Sequence, residues 1–322
     1  MSRKASTTVL PALGVLLIAV LLWGLAPVAN RYLLRSITPI HLAVARFVVA
    51  SLLFVPIVLL MRKQHWSRAD LLRALLCGLA SILGYNVTAT IGVQWVPAGI
   101  ASLLTATSPL WITVLSRIFE RTPLHWAVIV GLALGLGGIA LLIGWTALQP
   151  AQQGTLFLGM GLLLFASLMW AIYTVAVRPL SARYGSPAST GITTMAGTLP
   201  LLFLWDPRLL PSVGHFQQPD WLAFTLLALG STVVATMLWN YGVSRLPSAQ
   251  AGIFLNLMPI VGALGGKLFL DEPISPNMLL SGIIIITGVV VTQLPLFLAS
   301  HQQPAERDEL HEESMHEKPI LK

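Results

Sequence analysis

The chain is built from two halves that repeat one another. When the sequence is shifted by 150 positions, residues 70–138 align with residues 220–288 without a gap. A shift of 147 positions places Trp23 on Trp170, nearer the start of each half. Both halves are almost wholly apolar. A duplicated apolar half is typical of membrane proteins that are assembled from two related helix bundles.

The composition indicates a lipid environment and excludes several other classes of protein. Hydrophobic residues make up 56% of the chain and charged residues only 10%, and the mean hydropathy is +0.80. A soluble globular protein carries about 25% charged residues. The single cysteine, Cys77, excludes an intrachain disulfide framework and a cysteine-based metal site. The net charge of +7 comes from basic residues in short loops between apolar runs, so nucleic acid is not an expected partner.

Ten apolar runs are long enough to cross a bilayer, which requires about 20 residues per helix. Each run is predicted to be a helix, because backbone groups in lipid must pair within their own segment. The runs are 10–34, 38–61, 70–91, 95–119, 124–145, 155–178, 187–205, 220–243, 247–270 and 276–298. The first run is longer than the core of a signal peptide and no clear cleavage pattern follows it, so it is predicted to remain as the first span.

The basic residues predict the direction of the spans. With the N-terminus inside, most arginines and lysines fall in cytoplasmic segments, and the external segments hold only Arg31, Arg35, Arg208 and Lys267. This asymmetry satisfies the positive-inside rule. Five spans per half is an odd number, so the second half must lie upside down relative to the first. The predicted fold is therefore an all-α integral membrane protein of the inner membrane, with ten transmembrane helices in two inverted five-helix repeats and both termini in the cytoplasm.

The predicted organisation has five parts. They are a cytoplasmic N-terminus (1–9), a first repeat (10–145), a linker loop (146–154), a second repeat (155–298) and a disordered cytoplasmic tail (299–322). The tail contains His301, His311 and His316, for which metal binding is an alternative to a solvated end. We expect no metal site and no cofactor.

Arg46 is the first candidate for a functional residue, because it lies about eight residues inside the second apolar run. A charge at that depth costs several kcal/mol unless it faces a wet cavity or a partner. One interpretation is a docking point for a substrate carboxylate or another anion. The other is a structural arginine that binds carbonyls or a neighbouring helix end. No Asp or Glu lies in the middle of a predicted span, so proton coupling, exchange and facilitated diffusion all stay open.

Aromatic and amide side chains inside the spans are the remaining candidates for substrate binding. An unpaired amide in lipid is costly, so such residues should face the protein interior. Aromatic walls with a few placed polar groups are typical of small-molecule pockets, although helix packing explains each residue taken singly. The set comprises Trp23, Tyr85, Asn86, Trp111, Trp170, Tyr173, Trp239, Asn240 and Asn256.

Two prolines occupy equivalent positions inside the fourth and ninth runs. Pro109 and Pro259 each remove a backbone donor and free the carbonyl four residues earlier, on Thr105 and Leu255. Their recurrence in both halves favours a gating or hinge role, and inherited packing tolerance is the alternative. The fifth and tenth runs are rich in glycine, which permits close helix contact. Packing within the subunit is the favoured interpretation, and a dimer face is the alternative.

Several motifs taken together resemble the EamA domain of the drug/metabolite transporter superfamily. They include Trp23-Gly24, Arg46-Phe47, the segment VPAGIASLLTATSPLW, and the turns Phe119-Glu120-Arg121-Thr122-Pro123 and Asp271-Glu272-Pro273-Ile274. The resemblance covers residues 10–298. It implies ten helices in two inverted repeats, cytoplasmic termini, and a central cavity between helices 1–4 and 6–9. The second half has no arginine equivalent to Arg46, so the two halves differ in chemistry.

The resemblance and the candidate residues together predict a transporter of small organic metabolites, most simply an exporter of amino acids. Efflux of amphipathic drugs is the alternative, because multidrug binding requires the same apolar walls. An enzyme is not expected, since the sequence contains no HExxH motif, no Gly-x-Gly-Asp motif and no serine paired with a mid-membrane histidine. The expected partners are a small-molecule substrate and the lipid bilayer. A monomer is expected, with a dimer as the alternative.

Overall fold

The computed structural model describes residues 2–60, 64–120, 126–147, 153–246 and 251–291. These residues form helices and connecting turns, with no strand among them. Within these ranges six helices are long and apolar enough to cross a bilayer, namely Ala12–Leu33, Pro39–Leu60, Arg68–Val93, Ala98–Phe119, Gly154–Tyr184 and Gln218–Arg245. Shorter apolar helices cover Trp126–Leu142, Phe254–Leu270 and Pro276–Val291. The predicted all-α membrane class is thus confirmed.

The helices are labelled in chain order. In the first half, α1 comprises Ser2–Gly24 and Ala26–Leu33, α2 is Pro39–Leu60, α3 is Arg68–Val93, α4 comprises Ala98–Thr105 and Ser108–Glu120, and α5 is Trp126–Ala147. In the second half, α6 is Gln153–Tyr184, α7 comprises Ser186–Thr198 and the 3₁₀ turn Leu199–Leu204, α8 is Gln218–Arg245, α9 comprises the 3₁₀ turn Ile253–Leu257 and Met258–Leu270, and α10 is Pro276–Val291. A short helix, Leu209–Gly214, precedes α8.

Most predicted boundaries that fall on described residues agree with the helices to within a few residues, and two differ more. The predicted boundaries at 124, 247 and 298 lie outside the described residues. The first helix begins at Ser2, so the predicted separate N-terminus is helical. The sixth helix continues to Tyr184, beyond the end of the apolar run, because polar residues such as Arg183 also favour helix. Most of the predicted linker, 148–152, and the whole tail with its three histidines lie outside the described residues.

Equivalent helices carry equivalent irregularities. The middle of α3 is π-helical over Leu79–Val87, and α8 is π-helical over Leu226–Ala235. Neither π-helical stretch contains a proline, so the wider turn does not come from a missing backbone donor. In α4 the helix is interrupted before Ser108, and in α9 a 3₁₀ turn precedes Met258. The duplication therefore extends from the sequence to local backbone geometry.

Hydroxyl groups satisfy the backbone where Pro109 interrupts α4. The Thr105 carbonyl, which loses its usual donor, accepts hydrogen bonds from Ser108 Oγ at 2.7 Å and Ser167 Oγ at 3.4 Å. Ser167 lies on α6, and its hydroxyl is also 2.8 Å from Thr107 Oγ1. The interruption in α4 is therefore hydrogen-bonded to α6, in the other half of the chain. In α9 the Leu255 carbonyl accepts from the backbone N–H of Met258.

Glycines bring two pairs of helices into close contact. A Cβ atom at Gly78 would overlap the Thr193 carbonyl oxygen, so α3 and α7 approach too closely for any larger residue. A Cβ atom at Gly288 would lie 2.5 Å from the backbone nitrogen of Gly135, which packs α10 against α5 in the same way. Gly135 of the fifth run and Gly288 of the tenth thus make a contact within the subunit, as the favoured interpretation of the sequence predicts.

Polar contacts join the two halves at both ends of the bundle. At one end Arg31 Nε lies 2.7 Å from Glu272 Oε1, and the other carboxylate oxygen accepts from the Ala98 backbone N–H at 2.8 Å. At the opposite end Asp70 Oδ2 accepts from Arg183 at 2.9 Å and from the Tyr184 hydroxyl at 2.7 Å. Both contacts join a residue of the first half to a residue of the second. The two halves are therefore in polar contact at each end of the bundle in this conformation.

Candidate functional site

A central cavity lies between the two halves, about midway along the long helices. Helices α1, α2, α3 and α4 of the first half contribute to its wall, and so do α6, α7 and α8 of the second half. Its volume is about 60 Å³, enough for a few water molecules, since a cavity needs about 10–15 Å³ of such space to hold one. A larger ligand therefore requires the surrounding helices to separate.

Six of the ten residues that the sequence predicts for substrate binding line this cavity. They are Trp23, Arg46, Tyr85, Asn86, Trp170 and Tyr173. They come from three consecutive helices of the first half, α1, α2 and α3, and from α6 of the second half, which the fold brings together. Since the spacing of apolar residues does not specify which helix faces meet, this convergence is information that only the structure supplies.

Arg46 is buried in the cavity wall and is held by neutral groups. The residue is only 4% exposed, and its guanidinium lies over the ring of Phe47 at 5.1 Å. Nε donates to Thr232 Oγ1 at 2.6 Å and Nη2 donates to Ser231 Oγ at 3.2 Å, both on α8. No carboxylate is present among the described residues that line the cavity. The positive charge is therefore solvated by hydroxyls but has no counter-ion in that wall.

The π-helical part of α8 positions the two hydroxyls that hold Arg46. Thr232 Oγ1 donates in turn to the Leu227 carbonyl, five residues earlier, at 2.8 Å. The Ser231 carbonyl accepts from the indole Nε1 of Trp23 at 2.9 Å and from Thr236 Oγ1 at 3.3 Å. A π-helical turn widens the backbone and leaves such carbonyls available to side chains, which is one reason why these turns occur at functional sites.

An aromatic cluster forms one side of the cavity. The Trp23 and Trp170 rings meet edge to face with centroids 4.9 Å apart, and Trp239 lies 5.3 Å from Trp23. Tyr85 and Tyr173 each lie 5.0 Å from Trp170. Aromatic pairs at these separations stabilise one another beyond the area that they bury. The cluster therefore provides a rigid apolar wall beside the polar one.

Four predicted substrate-binding residues do not line the cavity. Trp239 is fully buried within the aromatic cluster, and Asn240 donates to the Tyr173 hydroxyl at 2.7 Å and to Thr190 Oγ1 at 2.8 Å. Asn256 and Trp111 lie elsewhere, and the Asn256 amide has no hydrogen-bond partner among the described residues. These residues belong to the support of the cavity or to the core around it, because the rotation of their helices turns them away from its surface.

Several polar residues in the cavity wall are not predicted from the sequence. They are Asn30, Thr105, Thr194, Ser231, Thr232 and Thr236. Serine and threonine give little indication of function in an apolar run, because their hydroxyls can donate to backbone carbonyls on the preceding turn of the same helix. The repeat does offer one signal, since Ser81 and Ser231 occupy equivalent positions in the two halves and both line the cavity.

The two predicted hinge prolines lie beside irregular backbone. Pro109 follows the interruption in α4, and Pro259 follows the 3₁₀ turn in α9. Thr105, whose carbonyl Pro109 frees, lines the cavity. The structure thus locates both prolines at points where the helix direction can change, and their gating role stays a prediction.

Comparison with known proteins assigns both halves of the chain to one family. The model of the EamA-like transporter family matches residues 10–144 and 157–294. An uncharacterized transporter of Archaeoglobus fulgidus is 26% identical over 277 residues, which covers 86% of this chain and 96% of that protein. The uncharacterized inner membrane transporter YedA of Escherichia coli strain K12 is 29% identical over 299 residues, covering 88% of this chain and 91% of YedA.

Two further comparisons concern a named exporter and the fold. A probable terminal-alkyne amino-acid exporter of Streptantibioticus cattleyicolor is 29% identical over 284 residues, covering 87% of this chain and 92% of that protein. A solved structure described as the crystal structure of a protein aligns with a TM-score of 0.64 at 21% identity, covering 90% of this chain and 97% of the other. This second likeness shows a shared fold.

The family match covers nearly the whole of both halves, and the apolar helices fit the same conclusion. The relatives that share this length are named as transporters, and one is named as an inner membrane protein. The chain is a multi-pass transporter of the inner membrane, and it belongs to the EamA-like transporter family.

Proposed function

We propose that this protein exports amino acids across the inner membrane by alternating access, with the central cavity as the substrate site. The observation that carries the proposal is Arg46, a buried cation in that cavity whose partners are two hydroxyls rather than a carboxylate. A guanidinium in a low-dielectric site binds a carboxylate strongly and with defined geometry. The carboxylate of an amino acid would supply the missing counter-ion.

Alternating access in this proposal rests on ten spans arranged as two inverted five-helix repeats, residues 10–145 and 155–298, with both termini in the cytoplasm. Inverted repeats have two nearly equivalent packings, one open to each side of the membrane. The small cavity and the contacts at both ends of the bundle support an occluded intermediate between them. Pro109 and Pro259 would act as hinges, because each lies beside irregular backbone. The subunit would work as a monomer.

The substrate class also draws support from one relative. The protein of Streptantibioticus cattleyicolor is named as a probable exporter of a terminal-alkyne amino acid, and it matches this chain over 284 residues. An aromatic wall formed by Trp23, Trp170 and Tyr85 would contact an apolar side chain of the substrate.

Efflux of amphipathic drugs is the second candidate, and the same aromatic wall is the observation that favours it. Rings of tryptophan and tyrosine attract organic cations as well as apolar groups. The two candidates differ in what they require of Arg46. An amino acid needs it as a carboxylate partner, whereas an organic cation would be repelled by it.

The test is an export assay in cells that express the wild type or Arg46→Ala at matched membrane abundance. Cells would be loaded with a mixture of amino acids and with cationic dyes, and the medium would be followed by mass spectrometry and fluorescence. We expect particular amino acids to leave faster through the wild type and at the background rate through Arg46→Ala. Dyes that leave equally well through both forms, without amino-acid export, would overturn the proposal in favour of drug efflux.

A further inference from the structure

Asn30 lines the central cavity and carries a buried amide oxygen with no partner among the described residues. The residue lies on the second part of α1 and is 7% exposed. Its Oδ1 atom is buried without a hydrogen bond among the described residues. Buried polar side-chain atoms are almost always satisfied, so an unpaired amide oxygen at a cavity wall requires an explanation.

A proline beside Asn30 removes one backbone donor close to the same wall. Pro27 lines the cavity near the start of the second part of α1. Proline has no backbone N–H, so the Trp23 carbonyl, four residues earlier, lacks the donor that a continuous helix would give it. Half-helix ends that border a cavity are a common place for carbonyl groups to coordinate cations in transporters.

The cavity wall therefore contains two chemically distinct groups of polar atoms. Arg46 offers donors and a positive charge, whereas Asn30 and the neighbouring break in α1 offer acceptors. Tyr85 and Trp170 lie in the same wall, and aromatic faces favour a cation nearby. A ligand with a carboxylate at one end and an ammonium group a short distance away matches both groups.

We propose that Asn30 forms an ammonium subsite, which makes the cavity selective for zwitterionic amino acids over carboxylic acids that lack the amine. In this arrangement the substrate ammonium donates to Asn30 Oδ1, and the substrate carboxylate accepts from Arg46. The inference rests on the proposed function, because it concerns the substrate of the same cavity. It adds a specificity that Arg46 alone would not give.

The test compares efflux from proteoliposomes that contain the purified wild type or Asn30→Leu. The vesicles would be loaded with the standard amino acids together with their deaminated carboxylic acids, including 4-methylpentanoate for leucine and 3-phenylpropanoate for phenylalanine. Leucine is close in shape to asparagine but accepts no hydrogen bond. We expect the ratio of amino-acid efflux to deaminated-acid efflux to fall about tenfold in Asn30→Leu, because a hydrogen bond to a charged group is lost. Deaminated-acid efflux should be unchanged or increased.

A thermal unfolding measurement separates this role from a structural one. The Asn30 Oδ1 atom makes no hydrogen bond to the described residues, so Asn30→Leu should unfold at the same temperature as the wild type or higher. Asn240→Leu is the matched control, since its amide donates to Tyr173 and Thr190. It should lower the unfolding temperature and reduce efflux of both classes of compound together.

Two contrary results have different meanings. An unchanged ratio in folded Asn30→Leu, or an equal loss of both classes of compound, would overturn the ammonium subsite while leaving amino-acid transport in place. Absence of amino-acid efflux through the wild type itself would instead overturn the proposed function on which the subsite rests.

Discussion

Two equivalent pairs of helices show how the halves of this transporter have diverged. Helix α3 packs on α7 through Gly78 and Gly197, where a Cβ atom at either glycine would collide with the backbone of the other helix. Helix α8 packs on α2, and the corresponding positions are Ala228 and Ala50. The second pair lacks the close glycine contact and instead contains Arg46, bound to hydroxyls of α8.

The two pairs differ in the kind of contact that joins their helices. The α3–α7 contact is close-packed backbone, whereas the α8–α2 contact is polar. A glycine-mediated contact excludes water and is held by van der Waals packing over the helix backbones. A buried guanidinium held by neutral hydroxyls is a contact that an anionic ligand can compete for. We infer that the α3–α7 contact is structural and that the α8–α2 contact carries the response to substrate.

Disrupting the α3–α7 contact at Gly78 and Gly197 should have the largest effect, on folding itself. Gly197→Val places side-chain atoms on the Gly78 carbonyl group, and the backbone there cannot move aside. Overpacking of this kind costs about 1–3 kcal/mol, and more where backbone is hit. We expect little folded protein in membranes, measured by fluorescence-detected size-exclusion chromatography. Gly161→Val, at a position with nothing within 4 Å, is the control and should fold normally.

The second effect concerns transport rather than folding. Arg46→Met removes the charge but retains much of the volume, so we expect a folded protein whose amino-acid efflux falls about tenfold or more. Removal of a buried charge that has no counter-ion should not lower the unfolding temperature. Folded protein with unchanged efflux would show that the α8–α2 contact is as structural as the α3–α7 contact.

A smaller effect on amino-acid efflux is expected when Arg46 is retained and a hydroxyl that accepts its hydrogen bond is removed. Thr232→Val deletes the hydroxyl that accepts from Arg46 Nε at 2.6 Å and retains the shape of the side chain. A hydrogen bond to a charged group contributes about 1.5–3 kcal/mol. Arg46 keeps its second bond, to Ser231 Oγ, so only part of that energy is lost and amino-acid efflux should fall by roughly tenfold or less. Thr232→Ser keeps the hydroxyl and should recover most of the wild-type rate. An equal loss in both variants would indicate a packing effect.

The weakest effect is expected at the edge of the same contact. Trp23→Phe keeps an aromatic ring but loses the indole N–H that donates to the Ser231 carbonyl. Thr236 still donates to that carbonyl, so the loss should be about 1 kcal/mol, seen as a fall in efflux of about fivefold. Trp205→Phe, on the exposed surface, is the control. A complete loss of efflux in Trp23→Phe would place this ring at the centre of the substrate site.

The sequence alone predicts the helices, because they follow from long apolar runs. It also predicts the repeat, because equivalent residues such as Pro109 and Pro259 align between the two halves. Six of its ten candidate binding residues line the cavity, but the sequence does not separate these six from the four that do not. Most of the runs are apolar around their whole circumference, so no amphipathic face specifies the rotation of those helices. Trp239 and Asn240 turn away from the cavity, whereas Trp23 faces it. Sequence reasoning misses Asn30 because it lies near the end of its apolar run, where a polar residue is expected at the membrane surface.

The decisive measurement is amino-acid efflux from proteoliposomes that contain wild type, Arg46→Lys or Arg46→Ala. Lysine keeps the positive charge but cannot bind a carboxylate with two parallel hydrogen bonds. We expect efflux of particular amino acids through the wild type, a reduced rate through Arg46→Lys and background efflux through Arg46→Ala. Equal efflux through all three folded proteins would refute the role of Arg46 as the carboxylate partner, because the cavity arginine would then have no part in transport.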